Sequence, residues 1–167
     1  MRNNTKKIAF LGLCAALAMV LSYLELLLPP IYSAVPGIKM GLPNIVIIFT
    51  LYRFGLKHAA VVSLIRILVV SHLYGSFLGF AYSIAGAVLS LAVMAILKRT
   101  DIFSKVGVSV VGAICHNLGQ TAVAIFMLER VEIGYYMAIL TITGAIAGVL
   151  IGLAAAYMLK LLEKVKF

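Results

Sequence analysis

An arginine inside an apolar run is the residue of this chain that most needs a chemical explanation. Arg66 stands in Leu64-Ile65-Arg66-Ile67-Leu68, about ten residues past the start of its run. A guanidinium carries its N–H donors in a planar fork, so a buried one suits a carboxylate or phosphate. Glu25 is the one carboxylate in an apolar run, and helix counting puts it a turn or two above Arg66. Arg66 is therefore expected to meet an anionic ligand. His116 and Gln120 are four apart and share a helical face, with Asn117 beside them and Gly112 and Ser109 continuing the face. Tyr82 and Ser83 lie beside Gly79 and Gly86, Asn44 opens another apolar run, and Lys39 precedes it in the loop segment 36–41. Together Lys39, Asn44, Arg66, Tyr82, His116, Asn117 and Gln120 outline a polar pocket for binding. Plainer roles also fit single members: His116 as an interhelical hydrogen bond, Tyr82 as a belt aromatic, Lys39 as a solvated loop residue.

Patterns for bond-making chemistry are missing. Asp101 is the sole aspartate, so no aspartate pair can hold magnesium against a diphosphate. No GxxxxGK[ST], HExxH or CxxC occurs, and His58, His72 and His116 lack metal-ligand spacing. Cys14 and Cys115 fall inside apolar runs and read as small buried side chains. No catalytic residue, metal or cofactor is expected, and any energy source must lie in a partner.

The elements that position these residues follow from composition. The 167 residues are 64% hydrophobic and 11% charged, where globular chains run at about 45–50% and about 25%. With a mean hydropathy of +1.16 there is too little polar surface for a water-soluble fold. The expectation is an all-α membrane protein, a single domain over 1–167 with six transmembrane helices near 8–28, 42–52, 56–73, 77–97, 106–128 and 133–162. These leave no length for a soluble domain. The first run is too long for a signal-peptide core, and Tyr23-Leu24-Glu25 is no small-residue cleavage site. The net charge of +9 comes from short basic clusters rather than a patch interleaved with aromatics, so nucleic acid is not the expected partner. Arg2, Lys6, Lys7, Arg53, Lys57, Lys98, Arg99, Lys105, Lys160, Lys164 and Lys166 fall on one side of the six-span arrangement, against Lys39 and Arg130 on the other. By the positive-inside rule both termini face the cytoplasm of a multi-pass inner-membrane protein. Gly144, Gly148 and Gly152 repeat every four residues and predict close helix approach, as do the pairs Gly12/Ala16 and Ala18/Ser22. Either internal packing or a docked membrane subunit would use such a face.

Four segments carry a family resemblance. They are Gly37-Ile38-Lys39-Met40-Gly41-Leu42-Pro43-Asn44, Leu64-Ile65-Arg66-Ile67-Leu68, Ser83-Ile84-Ala85-Gly86-Ala87-Val88-Leu89-Ser90-Leu91 and His116-Asn117-Leu118-Gly119-Gln120. In order along nearly the whole chain, they resemble the small bacterial membrane family labelled both Gx transporter and heptaprenyl diphosphate synthase component I. Pro43 departs from that pattern, where a small residue would be expected. The family in turn resembles the substrate-binding S components of energy-coupling factor (ECF) transporters. That resemblance implies a six-helix bundle with an outward pocket, the loop around Lys39 as its lid. It implies docking through Gly12, Ala16, Ala18 and Ser22 onto a membrane coupling subunit whose ATPases alone use ATP. The resulting expectation is a binding subunit for uptake of a small amphipathic, anionic vitamin or isoprenoid/quinone precursor. The alternative is a non-catalytic membrane accessory to heptaprenyl diphosphate synthase, working with a soluble prenyltransferase, or to quinone and electron-transfer metabolism.

Topology is directly testable. A cysteine introduced at position 39 should react with an impermeant reagent in intact cells, and one at position 101 only after permeabilisation; the reverse pattern would refute the orientation.

Overall fold

The computed structural model describes residues 2–27, 41–74 and 77–165. It contains α1 (Arg2–Leu27), α2 (Asn44–Phe54), α3 (Leu56–Tyr74), α4 (Phe77–Thr100), α5 (Lys105–Leu128), a 3₁₀ turn (Val131–Tyr136) and α6 (Met137–Leu161). No strand occurs among the described residues. Among the described residues five helical segments are long and apolar enough to cross a bilayer, the 3₁₀ turn and α6 counting as one. This is a multi-pass membrane protein.

The expected second crossing is the exception. At 11 residues and about 1.5 Å rise each, α2 covers roughly half of a 30 Å hydrocarbon layer. Pro43 stands at its N-cap, and Gly55, at φ 89, ends it and turns the chain into α3. One end of the bundle collects the bases. There Phe10 packs on Phe49 and Phe54, Lys98 Nζ donates to Leu51 O at 2.7 Å, and the Arg53 guanidinium donates to Val165 O. The N-terminal part of α1 and the chain following α6 therefore lie at this same basic end. Asn44 lies as many residues before Gly55 as Arg66 lies after it. Because α2 and α3 form a tight hairpin, the two residues are level, about 16 Å from the basic end.

The main apolar core fills the half of the bundle that α2 occupies. Val46, Ile47, Ile48, Phe49 and Leu51 pack with Cys14, Ala15 and Ala18 of α1, Val62 of α3, Met94 of α4, Val108 of α5, and Ile151 and Ala155 of α6. A smaller cluster, Tyr82, Ala124 and Ile133, closes the opposite end beneath the 3₁₀ turn. Many of the large apolar side chains elsewhere face outward, among them Leu13, Val61, Leu68, Val88, Ile142 and Leu150, as a lipid-facing surface requires.

Glycine contacts weld α4, α5 and α6 into one slab. A Cβ on Gly119 would lie 2.7 Å from Ala85 O. On the other side of α5, a Cβ on Gly148 would lie 2.7 Å from Val110 Cα, and one on Gly152 would lie 2.9 Å from Val106 Cα. Ser109 Oγ ties the same seam by donating to Gly148 O at 2.7 Å. The glycine stripe of α6 thus serves contact inside the chain.

The four small residues of α1 divide between two faces. Ala18 (0% exposed) and Ser22 (1%) point into the bundle, with Ser22 Oγ donating to Ala18 O, while Gly12 and Ala16 are exposed. At about 100° per residue, positions 16 and 18 are on nearly opposite sides of a helix. This corrects the expectation of a single docking stripe, because Ala18 and Ser22 are not accessible to a partner.

Gly148→Leu should force α5 and α6 apart, since the obstacle is backbone. The expected loss is about 1–3 kcal/mol or more, read as a lower unfolding midpoint in detergent; unchanged stability would contradict the described seam.

Candidate ligand-binding site

Between the two apolar clusters lies a layer of buried polar side chains, and its floor is the start of α2. Backbone amides at a helix start need acceptors. Here Asn44, Ile45 and Val46 donate to the carbonyls of Gly41, Leu42 and Pro43 at 2.8, 3.2 and 3.0 Å. Pro43 has no N–H, which leaves Gly41 and Leu42, and both donate to Glu25 Oε1 of α1, the latter at 3.4 Å. Gly41 has φ +85, and a Cβ there would also lie 2.8 Å from Asn44 Nδ2, so the turn requires glycine. Glu25 is 7% exposed, and a carboxylate at a helix N-terminus is favoured by the positive end of its dipole.

Arg66 is 6% exposed and its Nε has no hydrogen-bond partner among the described residues. The Glu25 carboxylate, held on the Gly41 and Leu42 amides just before α2, comes nearer to the depth of Arg66 than helix counting along α1 alone suggests.

The α4–α5 seam supplies the facing wall. The His116 ring lies over Gly86, where a Cβ would come within 2.9 Å of Cε1 and Nδ1. Because Gly119 abuts Ala85, the 116–120 turn of α5 stands level with 82–86 of α4, just above the start of α2. Gln120 is 1% exposed and its Oε1 has no hydrogen-bond partner among the described residues, a condition shared by the hydroxyls of Tyr82 and Ser90. Tyr82 lies slightly apart, beneath Ile133 and Ala124. Ser90, one turn below Gly86, joins Asn44, Ser109 and Gly112 around a gap too narrow for water.

The sequence-predicted residues are thus only partly brought together. Arg66, His116 and Gln120 share the layer, Asn44 forms part of its floor in mid-bundle rather than standing at the membrane edge, and Tyr82 is at its far side. Asn117 turns the other way: its Nδ2 donates to Leu140 O at 2.8 Å and packs on Gly144, so its amide ties α5 to α6. Lys39 lies outside the described residues. Sequence reasoning missed Ser90 and the part played by Glu25. Ser90 was visible as a hydroxyl between Leu89 and Leu91, but Glu25 gave no local sign that its partners lie sixteen residues onward. No group of three metal-ligating side chains occurs among the described residues. Chemically, the layer offers charge and hydrogen bonds in a dry setting.

The family model for heptaprenyl diphosphate synthase component I matches residues 14–158. The chain belongs to that family. The match takes in α2 to α5 whole, and with them Arg66, the α4–α5 seam and Glu25. No curated protein and no solved structure matches the chain.

Proposed function

We propose that this member of the family is a non-catalytic binding subunit that holds a small amphipathic anion at Arg66. The observation that supports the reading is a guanidinium buried in mid-bundle with an N–H unused among the described residues. Such a donor costs free energy until an acceptor arrives, and a phosphate, diphosphate or carboxylate supplies one. Gln120 and His116 give further polar contacts, and an isoprenoid or vitamin-precursor body lies along apolar neighbours such as Ile67. The charge distribution supports a cytoplasmic basic end in the inner membrane, and on that orientation the layer above α2 faces outward, as uptake requires. On this reading an ECF-like coupling subunit and its ATPases supply the energy, with Gly12 and Ala16 as the accessible docking residues of α1. ATP is then used only by those partners.

A second reading is favoured by the family description itself. In it the same pocket belongs to a membrane accessory of heptaprenyl diphosphate synthase or of quinone metabolism, paired with a soluble prenyltransferase. Pull-down from native membranes separates the two: recovery of a membrane subunit with ATPases is expected for uptake, and recovery of a prenyltransferase alone would replace the first reading with the second.

The ligand claim has its own test. Losing a buried charge-assisted contact costs on the order of 2–5 kcal/mol, so Arg66→Ala should weaken binding more than tenfold. Arg66→Lys should restore part of it, because a point charge cannot reproduce the fork. Native mass spectrometry of gently solubilised protein should show an anionic ligand; a neutral or cationic one, or undiminished binding in Arg66→Ala, would overturn the reading.

A further inference from the structure

The place that Glu25 fills has the make-up of an anion site. Two consecutive amides, Gly41 and Leu42, converge on one carboxylate oxygen at the start of an 11-residue helix. The positive φ of Gly41 shapes the turn from which they point, as in the backbone concavities that bind anions. The dipole of α2 adds positive potential at the same point. A second, independent feature lies at the level of the helix start: Arg66, more than nine-tenths buried, with its Nε unused among the described residues. Two backbone amides at a helix start thus hold one carboxylate that comes from another helix, with a buried guanidinium at the level where that helix begins.

We propose that Glu25 is a built-in substitute for the ligand's anionic group, occupying the Gly41 and Leu42 N–H groups near the level of Arg66 until an incoming anion displaces it. The inference deepens the binding reading above and rests on it. The charge balance supports displacement rather than addition. Arg66 contributes one positive charge and the helix start about half of one, and Glu25 already offsets most of that. A further anion beside an ionised Glu25 would place like charges together in a low-dielectric layer, where repulsion is poorly screened. Displacement removes the conflict and gives the ligand the donors that Glu25 releases.

The proposal predicts an effect opposite in sign to that of a direct ligand contact. Glu25→Gln keeps an oxygen that can accept from Gly41 and Leu42, but it is a neutral and weaker competitor. Binding of farnesyl diphosphate and of dodecanoate to the purified full chain in nanodiscs, with farnesol as the neutral control, reads the outcome. Glu25→Gln should bind at least one of the anions several-fold more tightly than the unmodified protein and leave farnesol unchanged. Arg66→Ala should weaken anion binding in both backgrounds. Should Glu25→Gln fail to fold, Glu25→Asp is too short to span the same gap and carries the same expectation. Equal or weaker anion binding in the folded Glu25 variant, with the unmodified protein still binding, would overturn displacement and leave the binding reading standing. Failure of every variant to bind either anion would overturn both.

Discussion

The architecture turns on a carboxylate that lets a helix begin in the middle of a membrane protein. A helix start exposes N–H groups, and in a hydrocarbon setting each one left without an acceptor costs several kcal/mol. Helix α2 begins about halfway through the bundle, and its first amides find their acceptors within the protein. Its own preceding carbonyls take three amides, proline removes a fourth, and Glu25 takes the remaining two. Because that account closes, α2 can be short. Because α2 is short, the bundle keeps a layer above it that, among the described residues, is lined by polar side chains such as Arg66, His116 and Gln120.

Two kinds of packing share the work. The α4–α5–α6 slab is held by glycines against backbone, by Ser109 on Gly148 O and by Asn117 on Leu140 O. Contacts of this sort have little freedom, since the obstacle to any change is main chain. The other side, α1 to α3, is held by side-chain packing around Val46–Phe49 and by the basic-end contacts of Arg53 and Lys98. Polar groups on the slab are therefore positioned by rigid elements, whereas Glu25 and Arg66 extend from helices joined by softer contacts. The layer therefore has one wall built on main-chain contacts and another built on side-chain packing.

Much of this was legible in the sequence. The apolar runs marked the crossings, the shortness of 42–52 was visible before its meaning was, and the depth of Arg66 followed from counting. The Gly144/Gly148/Gly152 repeat announced a close seam, though not the identity of its partner. What remained hidden depended on side-chain direction. His116 and Asn117 are neighbours in sequence yet point about 100° apart on a helix, and only the position of α6 shows that Asn117 is engaged there. The division of Gly12/Ala16 from Ala18/Ser22 could have been counted out on a helical wheel, but which pair faces inward could not. Glu25 was hardest, because its partners become neighbours only when the chain folds back on α1.

The brevity of α2 also bears on how the protein is made. A stretch of 11 residues is below the length that a bilayer retains as an independent crossing. Its hydrophobicity alone cannot hold it in place during synthesis, so it must enter together with α3, to which Gly55 joins it without a spacer. The order of translation helps, for α1 is made first and presents Glu25 before Gly41 and Leu42 emerge. In the folded chain an earlier helix thus supplies the acceptor for the amides that precede a later half-helix.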